Sequence, residues 1–238
     1  MSRILIINPN TTASITALLK SHAENAAEPG IHVEAVTARF GAPYISCEVS
    51  YAVAGHAVLD AWANATNEED TVLIGCFGDP GLLALRDASI SPVTGLAEAS
   101  FIEAARYGRF AIVTGGERWK PMLERLASNL GYGAMLAGIT TVAPSGAELG
   151  KDPIGAQLLL VDACQQAAKE FGAHVVILGG AGLAGMAARV QAQVSVPVID
   201  SVIAGVRHAA YLAQQPKPPI PANDSERMIE FLPWLGRG

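Results

Sequence analysis

Residues 72–81, VLIGCFGDPG, and residues 176–185, VILGGAGLAG, share one pattern of apolar residues and glycines. In each stretch a short run of branched apolar residues ends in a glycine-rich segment, which predicts a buried strand that closes in a tight turn. The stretches differ at one chemically important position, where the first has Cys76 and the second has Gly180. The shared pattern decides the fold, and the difference decides which chemistry the chain can support.

The same order of strand, turn and helix recurs along the chain. Apolar runs at residues 4–7, 110–113 and 197–199 are each followed by a turn and then by a helical pattern. Strands that alternate with helices predict an α/β fold, with parallel sheets covered by helices on both faces. Ligands of such sheets bind at the carboxyl ends of the strands, where the turns lie.

The two halves of the chain align with an offset of about 105 residues, which is longer than the repeat of a solenoid. Ile7 then falls on Val113, and Pro92 falls on Pro197. A repeat of this length indicates two similar α/β lobes that derive from one ancestral half. Each lobe is predicted to be a parallel sheet flanked by helices.

We expect the first lobe to comprise residues 1–97 together with 204–238, and the second to comprise residues 98–203. Matching turns of two facing lobes would converge on an interlobe cleft. This arrangement predicts an active site in that cleft, with Cys76 opposite Gly180.

Composition narrows the classes of function. The chain has 238 residues, of which 50% are hydrophobic and 16% are charged, so it can bury a full core. A net charge of −6 without a dense basic run argues against nucleic acid and anionic membranes as partners, and favours a small-molecule substrate. The N-terminal residues lack the pattern of a signal peptide, so we expect a cytoplasmic protein. The high apolar content favours a homo-oligomer.

The three cysteines, Cys47, Cys76 and Cys164, are scattered along the chain. They form neither a disulfide framework nor the spacing of a metal site, so no metal is predicted.

Two motifs resemble a known family. The segments ILIINPNTTASIT at residues 4–16 and CFGDPGL at residues 76–82 are similar to those of the cofactor-independent Asp/Glu/hydantoin racemase superfamily, and most similar to hydantoin and allantoin racemases. The resemblance covers nearly the whole chain and implies a racemase or epimerase that needs no cofactor. In that family two cysteines flank the stereocentre of the substrate. Here GGAGL, at residues 179–183, puts Gly180 where the second cysteine is expected.

The chemistry explains why a thiol would be needed. A carbon acid gives up its proton only if the enzyme supplies a nearby base and stabilises the enolate oxygen. Cys76 lies between a strand and a helix, where backbone N–H groups and the helix dipole are expected to lower the pKa of its thiol. The N–H groups of Phe77 and Gly78 are predicted to bind the developing oxyanion. The turn with Asn8, Asn10 and Thr11 offers N–H and side-chain donors at a helix start, and by resemblance this turn and its mate with Thr114 and Gly115 bind the substrate. Further candidate substrate-binding residues that line the cleft are Tyr44, Ala181 and Gly182.

Structural alternatives exist for several of these residues. A cysteine at a strand end is often only a small buried apolar residue. Asp79 followed by Pro80 has the pattern of a helix N-cap, and Asp200 is a second candidate cap. Residues 180–185 also match the glycine pattern of a dinucleotide site, but too little chain follows them to complete a nucleotide-binding lobe.

Three functions follow, in order of preference. The first is racemisation of a carbon acid such as a 5-substituted hydantoin, with Cys76 as acid/base. Water, Asp79 or another group would then replace the second thiol. The second is decarboxylation with a single cysteine, as in the arylmalonate decarboxylases of the same superfamily. The third is small-molecule binding by a protein that has lost two-base catalysis.

Overall fold

The computed structural model describes residues 2–65, 69–143 and 153–215. Within these residues the chain forms two four-stranded sheets, and every strand pair in them is parallel. The predicted α/β fold with two lobes is confirmed.

The first sheet has the strand order β2-β1-β3-β4. Its strands are β1 (Ser2–Asn8), β2 (Ile31–Thr37), β3 (Thr71–Ile74) and β4 (Val93–Gly95). The helices that connect them are α1 (Ala13–Ala26), α2 (Glu48–Ala63) and α3 (Leu82–Ala88).

The second sheet repeats this order as β6-β5-β7-β8. Its strands are β5 (Phe110–Gly115), β6 (Leu136–Val142), β7 (Val175–Gly179) and β8 (Val198–Asp200). The helices of this part of the chain are α4 (Leu96–Ala105), α5 (Trp119–Asn129), α6 (Pro153–Phe171), α7 (Met186–Val190) and α8 (Ser201–Ala213). A short 3₁₀ turn, Ala181–Leu183, follows β7.

The central strands explain why the sequence reads as continuous apolar runs. All residues of β3, β5 and β7 are buried, as expected for parallel strands that helices cover on both faces. Among the described residues, no helix is long and apolar enough to cross a membrane.

Contacts divide the chain into two compact units. The first unit comprises Met1–Gly75, Asp79–Gly95 and Val206–Gly238, and the second comprises Leu96–Gly205 together with Cys76–Gly78. The lobe boundaries 1–97 with 204–238, and 98–203, stay a prediction. Residues 216–238 lie outside the described residues.

The helix after Cys76 does not begin as predicted. We expected Asp79 to be its N-cap, but α3 begins at Leu82 and its N-cap is Gly81. The N-cap prediction was wrong because Gly81 takes the left-handed conformation, with φ 79°, and turns the chain two residues later than the sequence pattern indicated. The capping role predicted for Asp200 is confirmed, since its Oδ1 accepts hydrogen bonds from the N–H groups of Val202 and Ile203 at 2.9 and 3.2 Å.

Candidate functional site

Cys76 lies in the turn that connects β3 to α3. Its side chain is half-buried, whereas the residues on either side of it are buried. The turn belongs to the first unit at both ends, but Cys76–Gly78 belongs to the second unit by its contacts. The path of this short segment is therefore set by what it packs against in the second unit.

Two aromatic contacts hold the segment. The ring of Phe77 lies directly over Gly179, so that a Cβ atom on Gly179 would overlap the ring. The same ring packs edge-to-face on Phe101, with ring centroids 6.4 Å apart. The residue after Phe77 is Gly78, and the ring of Trp119 occupies the space that a side chain on Gly78 would need. The Cys76 segment is thus fixed by packing that only glycine permits at both contact points.

Gly180 follows directly after the residue that Phe77 covers. Its N–H group donates a hydrogen bond of 3.1 Å to Oγ of Ser201, and its φ is 141°. Among the described residues, a Cβ atom on Gly180 would meet only Leu183 within 4 Å, at an ordinary contact distance of 3.7 Å. There is room for a side chain, but the backbone conformation favours glycine, and another residue there would cost about 1–3 kcal/mol.

Asn8, at the end of β1, is fully buried and organises the turn that follows it. Its Nδ2 donates to Oδ1 of Asn10, to the carbonyl of Thr12 and to Oγ1 of Thr16, at 3.1, 3.2 and 2.9 Å. Its Oδ1 accepts the N–H group of Asn10 at 3.2 Å. The side-chain amide of Asn8 is therefore hydrogen-bonded within the protein, and the following residues of the turn, Asn10, Thr11 and Thr12, are half-buried.

Tyr44 lies in a loop that is tied to this turn. The hydroxyl of Thr12 donates to the carbonyl of Pro43 at 2.7 Å, and the N–H group of Thr11 donates to the carbonyl of Ala42 at 3.2 Å. Tyr44 follows these two acceptors and is 39% exposed. Two predicted binding residues, Thr11 and Tyr44, are thus carried by segments that hydrogen bonds hold together.

Thr114 and Gly115 form the end of β5, and both are buried. The Thr114 hydroxyl donates to the carbonyl of Gly179 at 2.8 Å, which fixes the end of β7 just before Gly180. Ala181 and Gly182, in the 3₁₀ turn, are half-buried. The side chain of Thr114 supports the Gly180 turn from within the protein.

Comparison with known proteins identifies the family. The family model for Asp/Glu/hydantoin racemase matches residues 4–209. The chain belongs to the Asp/Glu/hydantoin racemase family. It is accordingly an isomerase of the racemase type.

Individual members of the racemase family agree with this assignment over most of their length. A hydantoin racemase from Pseudomonas sp. (strain NS671) is 32% identical over 209 residues, which are 87% of this chain and 84% of that protein. The structure of the allantoin racemase from Klebsiella pneumoniae has a TM-score of 0.84 and 31% identity, and the match covers 94% of this chain and 98% of that one. The allantoin racemase from Pseudomonas fluorescens has a TM-score of 0.85 and 28% identity, over 92% and 99% of the two chains.

The three thiols of this family member differ in their surroundings. Cys164 is fully buried in α6, and burial raises the pKa of its thiol to about 12. Cys47 is the N-cap of α2 and shares a capping box with Ser50. Cys76 is the cysteine that lies in a turn at the carboxyl end of a strand. Among the described residues, no group of three or more His, Cys, Asp or Glu side chains is arranged to hold a metal ion.

Sequence reasoning missed the residues that support the two turns. Gly179 and Trp119 gave no signal, because their contacts with Phe77 and Gly78 join residues that are distant in sequence. Asp79 was interpreted as a cap, but it is 1% exposed and its carboxyl group occupies the space above Gly95.

Proposed function

We propose that this protein racemises a carbon acid such as a 5-substituted hydantoin or a related amino-acid derivative, without a cofactor, and that Cys76 is its base. The similarity to hydantoin and allantoin racemases supports the substrate class. The contact of Phe77 with Gly179 carries the proposal, because it makes the residue after Cys76 the neighbour of the residue before Gly180. In the proposed site the stereocentre of the substrate lies between these two turns.

In the proposed reaction the Cys76 thiolate removes the proton next to the substrate carbonyl. The C–H bond breaks, an S–H bond forms, and the electron pair moves to the carbonyl oxygen as an enolate. Backbone N–H groups at Phe77 and Gly78 stabilise this oxygen, as preorganised donors do for other oxyanions. A proton donor on the opposite face gives its proton to the carbon, which completes the inversion. The Cys76 thiol then releases its proton to solvent, which restores the thiolate and balances the proton that the donor lost.

The opposite face is the side of Gly180, which we propose stands in the position of the second cysteine of the family. Asp79 is a poor replacement for that thiol, because its carboxyl group is buried above Gly95. The described polar side chain that hydrogen-bonds Gly180 is the hydroxyl of Ser201, which is too weak a base to act at neutral pH. We therefore propose that water delivers the proton on this side, and that Cys76 is the single protein base.

Substrate recognition is assigned to half-buried and exposed residues near the turns. Asn10, Thr11, Tyr44, Ala181 and Gly182 are proposed to bind the substrate's polar groups. The roles of Asn8 and Thr114 are proposed to be indirect, because their side chains are buried and hydrogen-bonded internally. The absence of a side chain at Gly180 suits a substrate with a bulky substituent.

One observation favours a second candidate, which is decarboxylation by a single thiol. A lone cysteine is sufficient to protonate the enolate that remains when carbon dioxide leaves, and the Gly180 turn carries no second thiol. This alternative predicts release of carbon dioxide from disubstituted malonates. A binding protein without catalysis is the third alternative, and its ligand affinity would survive Cys76→Ser.

The test is incubation of the protein in heavy water with single enantiomers of 5-substituted hydantoins, allantoin and acidic amino acids. We expect loss of optical rotation and uptake of deuterium at the stereocentre, and we expect both to disappear in Cys76→Ser. Carbon dioxide release from malonates without racemisation of any hydantoin would replace the proposal with the decarboxylase alternative. Racemisation that persists in Cys76→Ser would contradict the role of the thiol.

A homo-oligomeric state and a cytoplasmic location complete the proposal. Light scattering of the purified protein would measure the first, and a monomer at micromolar concentration would contradict it. Cell fractionation would measure the second.

A further inference from the structure

Asp79 has an unusual position for a carboxylate. It lies three residues after Cys76 in the same turn, and it is almost completely buried. Within the described residues it is the one non-glycine residue with a positive φ, at 52°. Its carboxyl group fills the volume above Gly95, the last residue of β4, so that any side chain on Gly95 would collide with it.

The second sheet contains the same arrangement with the carboxylate on the other partner. Gly185 corresponds to Gly81, and both have φ 79° and are the N-caps of the helices after the two turns. Asp200, the last residue of β8, corresponds to Gly95 in the repeat. Its Oδ2 accepts a hydrogen bond of 2.7 Å from the N–H group of Gly185. Here the strand end supplies the carboxylate that binds the turn.

In both lobes a carboxylate connects the turn to the end of the neighbouring strand, but the two lobes supply it from different partners. In the second lobe the carboxylate belongs to the strand end, and the turn offers a backbone N–H group. In the first lobe the strand end is a glycine, and the carboxylate belongs to the turn itself. As a result, the carboxylate that anchors the turn of the first lobe, Asp79, lies on the same short segment as the thiol of Cys76.

From this exchange we propose that Asp79 is a positioning residue for Cys76. It acts through the backbone of the turn, and it does not contact the substrate. Docking of its carboxyl group above Gly95 fixes one end of the Cys76 segment, while Phe77 on Gly179 fixes the other side. The inference rests on the proposed function for its catalytic consequence, but the geometry of the turn is independent of it.

The repeat itself supplies a test, because the first lobe can be given the arrangement of the second. In Asp79→Gly the anchor is removed, and glycine adopts the φ of 52° without strain. In the double variant Asp79→Gly with Gly95→Asp the carboxylate returns from the strand end, as Asp200 provides it in the second lobe. Gly95 is not among the glycines with positive φ, so its backbone accepts an aspartate.

We expect Asp79→Gly to lower kcat for a 5-substituted hydantoin by about 10- to 100-fold with KM changed by less than about 3-fold, since small misplacement of a catalytic group has effects of this size. The pH profile of Cys76 alkylation by iodoacetamide should change in the same variant, which a purely structural role would not cause. The double variant should recover kcat to within about 5-fold of the unmodified protein and restore the alkylation profile. Gly95→Asp alone should lose activity, because the carboxyl groups of Asp79 and of the new aspartate would compete for the same space.

An unchanged kcat and alkylation profile in Asp79→Gly would overturn the proposal, and so would a double variant no better than Asp79→Gly. If Asp79→Gly does not fold, Asp79→Asn keeps the shape of the anchor and should leave the alkylation profile of Cys76 nearly unchanged. A changed profile in Asp79→Asn would show that Asp79 acts through its charge and not through its position, and would overturn the proposal. If no substrate is racemised by the unmodified protein, the proposed function fails. The alkylation profiles of the single and double variants still decide the role of Asp79.

Discussion

The Cys76 turn and the Gly180 turn occupy the same place in two sheets of identical strand order, but they differ in the reactive side chains that they carry. Each follows the third strand of its sheet, and each leads to a helix whose N-cap is a left-handed glycine. The first carries a thiol and its own buried carboxylate, whereas the second carries glycines and is held by Asp200 from outside. Two sheets of the same strand order can thus carry equivalent turns of which one holds the thiol and the other does not.

The comparison predicts its largest effect at the thiol. Cys76→Ala should lower kcat/KM for racemisation by about 10²–10⁴-fold, the usual contribution of a positioned acid or base, and leave substrate affinity nearly unchanged. Cys164→Ala is the matched control, because the pKa of that buried thiol is raised to about 12 and it stays protonated at neutral pH. Equal losses in both variants would show that the thiol of the turn has no special role.

The second effect concerns the packing that holds the Cys76 segment. Gly179→Ala would push the ring of Phe77 away and should lower kcat by about 10- to 100-fold, since a shift of about 1 Å has consequences of that order. Gly138→Ala creates the same overlap with the ring of Phe171, in β6 and α6, away from both turns. It should lower the melting temperature without a comparable loss of kcat. Similar kinetic losses in the two variants would mean that the overlap acts only through stability.

The third effect would make the two turns alike. Gly180→Cys adds a thiol to the second turn and should raise racemisation relative to hydrogen exchange at the stereocentre. It should also destabilise the protein by about 1–3 kcal/mol, because Gly180 has a φ of 141°. Gly180→Ala carries the same strain without the thiol, so the difference between these variants isolates the chemistry. No kinetic difference between them would argue against opposed catalytic positions.

Much of this comparison could be predicted from the sequence. The apolar runs of the central strands are continuous because parallel strands are buried on both faces, so β1, β3, β5 and β7 were found directly. Three of the four edge strands, β2, β4 and β6, are not predicted. Most residues of β2 and β6 are only partly buried, and their sequences, IHVEAVT and LAGITTV, lack a continuous apolar run. Strand β4 has only three residues.

The supports of the site could not be predicted. Asp79 followed by Pro80 is a good local signal for a cap, but the space above Gly95 overrides it, and no local pattern announces that space. The contact between Phe77 and Gly179 joins residues from opposite halves of the chain. The turn motif predicts that Asn8 binds the substrate, but no local pattern shows that its side chain is buried and hydrogen-bonded to Asn10, Thr12 and Thr16.

The smallest expected effect concerns this buried asparagine. Asn8→Ala removes donors to Asn10, Thr12 and Thr16 and should lower the free energy of unfolding by about 1–3 kcal/mol, with a modest rise in KM and little change in kcat. Thermal unfolding and steady-state kinetics check it. A loss of kcat as large as that of Cys76→Ala would contradict an indirect role for Asn8.

The central claim is that the protein supplies a base from one side only. Its most direct test is the rate of deuterium exchange at the stereocentre of each enantiomer of one racemised substrate, measured in heavy water by mass spectrometry at low conversion. The enantiomer whose hydrogen faces Cys76 should exchange with retention, about 10²-fold or more faster than its mirror image, since only that hydrogen meets a positioned base. Comparable exchange of both enantiomers, with deuterium found only in the inverted product, would contradict a single base and require a second group on the side of Gly180.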